Sequence, residues 1–293
     1  MQFPHPGREQ GPDADDPTRK RWETHKSTHA RKFMASPGTW RDSLDAPTQE
    51  GEIVFWGEWE ADSTVESVEP RVPGGPQWLH RPFFEGLDTA PTGAIRQNTD
   101  PFVFGERFLY TYCRQPSNRN LQALADGSLI LFGSMAGPSK QRRFVLDTVL
   151  VVAESVAHTR ETYAADVAPR TNDVFRLTTL DPMYQNEPGK KELSGARLYL
   201  GATADNPANG IFSFVPCLPA KAGRSFARPA IKLPRSFINP NRAQQAATIS
   251  VGDPAELRQL WREVVGQVIA SGCALGLTVA LPSARLNHGL ARS

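Results

Sequence analysis

"SLILFGS" (128–134) and "RFVLDTVLVV" (143–152) are the stretches that decide the fold of this chain. Both are rich in β-branched and aromatic residues and are bounded by Gly, Pro or charged residues, which is the pattern of strands. Outward from them the same pattern recurs in short runs: GEIVFWGEWE (51–60), PFVFG (101–105), FLYTYC (108–113), RLYLGAT (197–203), GIFSFVPCL (210–218), RPAIKL (228–233) and AATISVG (246–252). The chain is therefore predicted to consist mainly of short strands.

Helices are predicted at only two places. NRNLQALADG (118–127) suits a short helix, because an Asn can cap its start and Gly127 can end it. The clearest element is a helix over 254–271, which Asp253 can cap and in which apolar residues recur at helical spacing. A final apolar run, CALGLTVAL (273–281), predicts a buried strand beside that helix. The pattern favours an α+β fold, with a strand-dominated curved sheet or β-barrel and a long C-terminal amphipathic helix.

Composition divides the chain into three parts. Residues 1–22 are Pro, Gly, Asp and Arg with few apolar side chains, too few to offset the entropy of ordering them, so a disordered tail is predicted. Residues 23–160 hold the first group of strands and form a β-rich core. Residues 161–293 form a β-rich extension with the helix and the final strand, and we expect this extension to pack as one unit with the core.

The overall composition limits the possible partners. The 293 residues carry a formal charge of +2, so contact with nucleic acid must come from local clusters of the 33 Lys and Arg side chains. Three cysteines lie far apart with no CxxC spacing, which argues against disulfides and against a cysteine zinc site. No apolar run reaches the roughly 20 residues that cross a bilayer, and the N-terminus lacks the apolar core of a signal peptide. We expect a soluble, cytoplasmic protein with no membrane partner.

Carboxylates stand among aromatic side chains in FWGEWE (55–60). Side chains alternate along an extended strand, so Trp56, Glu58 and Glu60 are predicted to share one face. Such a face can stack a nucleobase on Trp56, while Glu58 accepts hydrogen bonds from the exocyclic amino group of the base. The alternative is an edge strand whose glutamates face water.

The same carboxylates favour a second chemistry. Two carboxylates beside an apolar pocket can hold different pKa values and divide the acid and base roles of a reaction. With His80 as a helper, Glu58 and Glu60 are the candidate catalytic residues if the protein is an enzyme. For His80 the alternative is a structural histidine that is hydrogen bonded inside the fold.

Aromatic and hydrogen-bonding side chains also concentrate in ERFLYTYCRQ (106–115). On one strand, Tyr110 and Tyr112 share a face, where they form either part of the core or a stacking surface for bases. Arg107 and Arg114 flank this strand and add hydrogen-bond donors. These four residues are candidate ligand-binding residues.

A basic stretch, HKSTHARK (25–32), follows the N-terminal part. Lys26, Arg31 and Lys32 suit contacts with phosphate oxygens on a flexible arm, and a solvated arm without a ligand is the alternative. The two histidines have helical i, i+4 spacing but no third ligand nearby, so we predict no metal site. The chain has no phosphate-binding glycine loop and no GxSxG motif, which argues against nucleotide-hydrolase and α/β-hydrolase classes, and no cofactor is predicted.

The run LADGSLILFGS followed by RRFVLDTVLVV resembles PUA-like folds, including the ASCH and EVE groups, where a short helix leads to an apolar strand and then to a strand that changes direction. Together with GEIVFWGEWE and NTDPFVFGERFLYTYC, it is also similar to the bacterial and phage proteins called nucleotide-modification-associated domains. The resemblance covers residues 50–155. It implies a small curved β-barrel that holds a base, often a modified one, in an aromatic cleft, here with Trp56, Glu58, Tyr110 and Tyr112.

These patterns lead to three hypotheses for function. The first is a nucleic-acid-binding or modified-base-recognising protein associated with DNA or nucleotide modification, or with defence. The second is a carboxylate-dependent enzyme acting on a nucleotide or glycosidic substrate. The third is a partner-binding protein whose C-terminal helix presents Trp261 to another chain. The sequence favours the first, so a nucleic acid or nucleotide is the expected partner.

Overall fold

Strands dominate the computed structural model of this protein. It describes residues 1–22, 30–85, 97–115, 118–138, 141–185, 195–221, 225–234, 237 and 253–285. Within these residues the strands are β1 (Gln2–His5), β2 (Arg19–Lys20), β3 (Lys32–Arg41), β4 (Gln49–Gly57), β5 (Ser63–Ser67), β6 (Trp78–Glu85), β7 (Leu109–Tyr110), β8 (Leu129–Ala136), β9 (Arg143–His158), β10 (Ala196–Gly201), β11 (Val215–Pro219), β12 (Ala230–Ile231), β13 (Ala274–Val279) and β14 (Ser283–Arg285). The α-helices are α1 (Tyr163–Asp166), α2 (Asp173–Phe175), α3 (Asp181–Gln185) and α4 (Pro254–Ala270). The predicted strand-dominated α+β class is confirmed.

The strands form two sheets. In the first sheet the order is β1-β8-β9-β10-β7, and β12 adds to β9. In the second the order is β13-β11-β4-β3-β6-β5-β2, and β14 adds to β6. Apolar side chains of β8 and β9 point alternately into two interior clusters. Because both faces of this strand pair are buried, its sequence is a nearly continuous apolar run.

Four strands of the second sheet close into a small barrel. β3 pairs with β4, β4 with β11 and β11 with β13, and β13 returns to pair with β3. The closure brings the backbones close together at Gly38 of β3, where a Cβ atom would lie 2.3 Å from the carbonyl oxygen of Thr278 in β13. No side chain fits at that distance, so glycine permits the closure. The barrel-like fold expected from the sequence is therefore present as a closed barrel of four strands.

Strands from both halves of the chain share each sheet. β10 pairs with β9, β11 pairs with β4, and β13 pairs with β3. The described parts of the extension and of the core are consequently joined by backbone hydrogen bonds, not only by side-chain packing.

The N-terminal residues lie against both sheets, in contrast to the disordered tail predicted for 1–22. β1 pairs in parallel with β8, and Phe3 is buried against Phe132. β2 pairs with β5 of the second sheet, and the backbone N–H of Gln10 donates to the carbonyl of Arg31 (2.8 Å). Backbone hydrogen bonds hold the segment although it has few apolar side chains, and composition alone does not report such bonds.

The C-terminal helix α4 begins as predicted, but its 17 residues make it a helix of moderate length and not a long one. The Asp253 side chain accepts a hydrogen bond from the backbone N–H of Ala255 (2.7 Å) and so caps the helix. Trp261 is buried against Phe212 and Phe214, and its Nε1 donates to the carbonyl of Phe212 (3.0 Å). The prediction that Trp261 is presented to another chain is therefore wrong, because its own fold already covers it.

Three predicted strands are much shorter in the structure, and of the run 228–233 only Ala230–Ile231 is a strand. Only Leu109–Tyr110 of the run 108–113 is a strand, and the run 101–105 contains only isolated bridges. The predicted helix over 118–127 is a single 3₁₀ turn, and the predicted strand 246–252 lies outside the described residues. Hydrogen bonds from three backbone N–H groups to the Asp100 carboxylate hold the 97–115 region instead of a regular ladder.

Two further observations concern membrane spans and cysteines in the part of the chain that the structure describes. Among the described residues, no helix is long and apolar enough to span a membrane. Cys113, Cys217 and Cys273 are all free thiols, as their spacing predicts. Packing and hydrogen bonds therefore hold the fold together without disulfides.

Candidate functional site

The candidate site is centred on Glu58, which follows the last residue of β4. β4 lies between β3 and β11, so it is not the edge strand considered as an alternative. The Glu58 carboxylate is 2% exposed, and its Oε1 lies 2.7 Å from Nη1 of Arg31 and also contacts Nδ1 of His5. Its Oε2 accepts a hydrogen bond from the hydroxyl of Thr99. Groups from the N-terminal strand, from the residue that precedes β3 and from the 97–115 segment thus meet at one carboxylate.

These surroundings keep Glu58 ionised. Burial alone would raise the pKa of its carboxyl group, but the charge of Arg31 and the contacts with His5 and Thr99 outweigh burial and lower the pKa to about 2. Burial also disfavours the charge of Arg31, yet the carboxylates of Glu58 and Asp147 keep its pKa above the ordinary value. Both side chains therefore remain charged at neutral pH.

Arg31 extends this charged network as far as Trp56. Its Nε donates to Oδ2 of Asp147 (2.7 Å), a buried carboxylate within β9. Nη1 of Arg228 lies 3.4 Å from the other oxygen of Asp147, and the Arg228 guanidinium lies 5.2 Å from the centre of the Trp56 ring. The Trp56 Nε1 donates to a backbone carbonyl (2.9 Å). Trp56 and Glu58 are therefore linked, but Trp56 is 4% exposed and does not offer the open stacking face that was predicted.

Glu60 approaches Glu58 through Thr99. The Thr99 Oγ1 lies 3.1 Å from Oε1 of Glu60 and also bonds Glu58. A hydroxyl has a single proton, so it can donate fully to only one of the two carboxylates at a time. The backbone N–H of Glu60 donates to the side-chain oxygen of Asn98 (2.8 Å). The two predicted glutamates are thus brought together by the 97–115 segment, and not by alternation along β4.

Asp100 connects this region with Tyr110 and Tyr112. Its buried carboxylate accepts hydrogen bonds from the backbone N–H groups of Thr111 (2.9 Å), Tyr112 (2.7 Å) and Cys113 (2.7 Å). Burial nevertheless raises the pKa of Asp100, since it outweighs these three bonds. The Tyr110 hydroxyl donates to the Cys113 carbonyl (2.9 Å) and the ring is fully buried, so Tyr110 belongs to the core. Tyr112 is only half-buried.

The pKa of the Cys113 thiol is affected by the nearby carboxylates of Asp100, Glu58 and Glu60. Burial raises its pKa well above the ordinary value, and the negative charges of Asp100, Glu58 and Glu60 raise it further. The thiol therefore stays protonated and is a poor nucleophile. The geometry gives no support for cysteine chemistry here.

The two flanking arginines, Arg107 and Arg114, lie at or near the surface. Arg114 is exposed and its backbone φ of 64° falls in the left-handed region, which is uncommon for residues other than Gly. The Nη1 of Arg107 lies 3.9 Å from a carboxylate oxygen of Glu154, which also pairs with Arg170. Both predicted arginines are thus near the protein surface, whereas Tyr110 is not.

His80 lies apart from the Glu58 network in the part of the chain that the structure describes. Its Nδ1 is bonded to the hydroxyl of Ser63 (2.9 Å), and its Nε2 is bonded to the carbonyl of Gln10 (3.0 Å). Burial lowers the pKa of His80 to about 3, so the ring is neutral. Because both ring nitrogens are engaged, the geometry supports the structural alternative and not a helper to Glu58 and Glu60.

Arg31 and Lys32 do not form the exposed basic arm that was predicted. Both are buried, and Nζ of Lys32 donates to the carbonyl of Ala61 (2.8 Å). Burial lowers the pKa of Lys32 to about 7. The third residue of the predicted arm, Lys26, lies outside the described residues. Arg31 and Lys32 therefore bind carboxylates and a carbonyl inside the fold, and they are too buried to contact a phosphate from solvent.

Four members of the network were not predicted from the sequence: His5, Thr99, Asp147 and Arg228. Asp147 carried a usable signal, because an aspartate inside the apolar strand RFVLDTVLVV requires an internal partner. His5 lies in the segment predicted to be a disordered tail, and Arg228 is the first residue of the predicted strand 228–233, so neither position indicates a buried ion pair. Their partners come from distant parts of the chain, so no local pattern marks them.

The chemistry of the site comes from ion pairs and hydrogen bonds. Among the described residues there is no group of three or more His, Cys, Asp or Glu side chains that could hold a metal ion. No protein-family model, no curated protein and no solved structure matches this chain. The function is therefore inferred from the geometry of the site and from the resemblance noted in the sequence.

Proposed function

We propose that this protein binds a nucleobase, in a nucleic acid or a nucleotide, where the 97–115 segment meets the Glu58 network. The observation that carries the proposal is the concentration of buried charge, since Glu58, Arg31 and Asp147 are each no more than 3% exposed. Burying each charge costs several kcal/mol, and apolar replacements of such networks are often more stable. Folding alone does not account for the network, and shifted pKa values concentrate at functional sites.

The 97–115 segment links this buried charge to groups that suit a nucleotide. Asp100 anchors a turn that carries the half-buried Tyr112 and the exposed Arg114. A tyrosine ring can stack on a base, and an arginine can bind a phosphate through two hydrogen bonds. The left-handed backbone of Arg114 is a conformation that often marks binding sites. The resemblance to PUA-like and nucleotide-modification-associated proteins favours the same ligand class, and three free thiols suit the reducing cytoplasm.

Fluorescence anisotropy with labelled oligonucleotides tests this proposal. Single- and double-stranded probes, with and without modified bases, are titrated at low salt, where phosphate contacts are strongest. We expect binding that weakens with salt, and a salt dependence reduced by about one unit of slope in Arg114→Ala. Arg262→Ala, exposed on α4, is the matched control. Absence of binding to every probe at low salt refutes the proposal.

A second candidate function is a carboxylate-dependent enzyme acting on a nucleotide or glycosidic substrate. The observation that favours it is the Thr99 hydroxyl, which bridges Glu58 and Glu60 and so holds two carboxyl groups close enough to divide acid and base roles. If the protein is this enzyme, Glu58→Gln abolishes turnover of nucleotide or oligonucleotide substrates, measured by chromatography, and largely retains affinity. The exposed Glu256→Gln in α4 is the control. A binding protein instead loses affinity in Glu58→Gln and shows no turnover in any variant.

A further inference from the structure

His5 differs from the other histidines that the structure describes. His80 uses both ring nitrogens in hydrogen bonds. His158 does the same, because its Nδ1 bonds the hydroxyl of Tyr184 (2.5 Å) and its Nε2 bonds the hydroxyl of Thr111 (2.8 Å). His5 contacts Glu58 through Nδ1 and its side chain is 11% exposed. No hydrogen bond engages its Nε2 among the described residues, so this nitrogen is available.

The environment fixes the orientation of the His5 ring. The ring of Phe3 packs edge-on against it, with centroids 4.7 Å apart, and the ring of Phe132 lies 6.1 Å away. In a neutral imidazole, a carboxylate at Nδ1 favours the tautomer with the proton on that nitrogen, which leaves a lone pair on Nε2. Packing and the Glu58 contact together direct Nε2 away from the carboxylate.

We propose that His5 and Glu58 form an acid–base dyad in which Nε2 of His5 takes a proton from water or from a hydroxyl group of a bound ligand. The Nε2 lone pair accepts the proton, and the positive charge that develops on the ring is offset by the carboxylate of Glu58. The N–H bond at Nε2 forms as the O–H bond of the water or hydroxyl group breaks, and the reverse transfer restores the neutral ring, so no electrons are gained or lost. Glu58 is a positioning residue in this arrangement.

The rest of the network prepares Glu58 for this role. Arg31 lies 2.7 Å from the same carboxylate oxygen that contacts His5, and Thr99 bonds the other oxygen. These contacts keep the carboxylate ionised, so it is negatively charged whenever the ring gains a proton. The ligand class, a nucleotide with an attacking water or hydroxyl group, rests on the proposed function, whereas the dyad itself rests on the contacts of His5.

Chemical labelling of the wild-type protein tests whether Nε2 is available. Diethyl pyrocarbonate acylates an imidazole nitrogen through its lone pair, with release of ethyl carbonate, and peptide mass spectrometry follows each histidine. We expect His5 to react at least about ten-fold faster than His80 and His158, whose lone pairs and N–H groups are engaged. A rate for His5 as low as those of the other two overturns the proposal.

Nitrogen NMR on histidine-labelled protein tests the role of Glu58. At pH 9 we expect the wild-type ¹⁵N shifts to place the ring proton of His5 on Nδ1, and we expect Glu58→Gln to reduce that preference, because a neutral amide is a weaker acceptor. His5→Gln assigns the signals, and Glu256→Gln is the control. A wild-type proton on Nε2, or identical spectra in Glu58→Gln, overturns the dyad. If Glu58→Gln does not fold, the labelling rate and the ¹⁵N spectrum of the wild type still decide whether the dyad exists.

These measurements separate the dyad from the proposed ligand. A reactive His5 in a protein that binds no oligonucleotide supports the dyad and refutes the nucleotide site. An unreactive His5 in a protein that binds oligonucleotides refutes the dyad and leaves the proposed function intact.

Discussion

Replacing Arg31 by Met tests the energetics of the charged network. Met fills much of the same space but leaves the carboxylates of Glu58 and Asp147 buried without their shared cation. Removing one partner of a buried ion pair costs about 3–5 kcal/mol. The lowered pKa of Glu58 points in the same direction, since the charge of Arg31 is the strongest of the interactions that favour its ionised form. We therefore expect Arg31→Met to lose about 3–5 kcal/mol of a total stability of about 5–15 kcal/mol.

Urea unfolding followed by tryptophan fluorescence measures this loss. With a denaturant slope of about 3 kcal/mol per molar, the midpoint of Arg31→Met falls by about 1 to 2 M at pH 7. Arg262→Met, on the exposed side of α4, is the matched control and is expected to change stability by no more than about 0.5 kcal/mol. A midpoint for Arg31→Met within about 0.3 M of the wild type refutes the reasoning, because the change would then be below about 1 kcal/mol.

The same variant has a predicted pH dependence. Because the pKa of Glu58 is lower in the folded protein than its ordinary value of 4.5, its contribution to stability is fully present above about pH 4.5 and is lost as the pH falls toward 2. Arg31→Met removes the strongest of the interactions that lower this pKa. The stability difference between the two proteins is therefore expected to shrink between pH 5 and pH 3, and a constant difference over this range contradicts the assignment.

Four further substitutions test the fold by thermal and urea unfolding. Gly38→Ala places a Cβ against the carbonyl of Thr278 and is expected to cost about 2–4 kcal/mol of stability. Gly266→Ala is the control: it lies in the interior of α4, no atom lies within 4 Å of the new methyl group, and it is expected to stabilise the protein by about 0.5–1 kcal/mol. Equal effects of the two substitutions contradict the tight closure of the barrel. Asp253→Ala removes the helix cap and is expected to cost about 1 kcal/mol, so an unchanged melting temperature contradicts the capping role. For Lys32, the folded pKa of about 7 lies below the ordinary 10.5, so wild-type stability rises with pH between these values. The stability of Lys32→Met relative to the wild type is therefore expected to be higher at pH 6 than at pH 9. An equal stability difference at both pH values contradicts the burial of the charged group.

The local sequence pattern was sufficient to predict the elements whose apolar residues recur at regular positions. β8 and β9 match the two apolar runs, because both faces of these strands are packed and every position is under the same constraint. α4 was equally clear, since its cap and its apolar spacing are local features. β3, which pairs with β4, β6 and β13, was not predicted, because Pro37 and Gly38 interrupt its strand pattern and its partners hold it in place.

The candidate site was predicted only in part. Glu58 and Glu60 were predicted as site residues because carboxylates are unusual beside Trp and Phe. The structure brings the two side chains together at Thr99. Their partners were not predictable from position in the chain, since His5 and Asp147 lie far from Glu58 in sequence. Trp56 and Glu58 do not share an open face as expected. They are linked inside the fold by a series of contacts in which Arg228 lies next to the Trp56 ring.

The sequence by itself determined the strand-dominated class, the C-terminal helix, the free thiols and the presence of carboxylates in an aromatic environment. These features depend on side-chain size, polarity and spacing within a few residues. Only the tertiary structure decided that the N-terminal segment joins the sheets, that Arg31 is buried, and that His5 contacts Glu58. The physical reason is that charge pairing depends on distance in space. A buried charge is stable only when its partner arrives from elsewhere in the fold, and no local pattern records where that partner lies in the sequence.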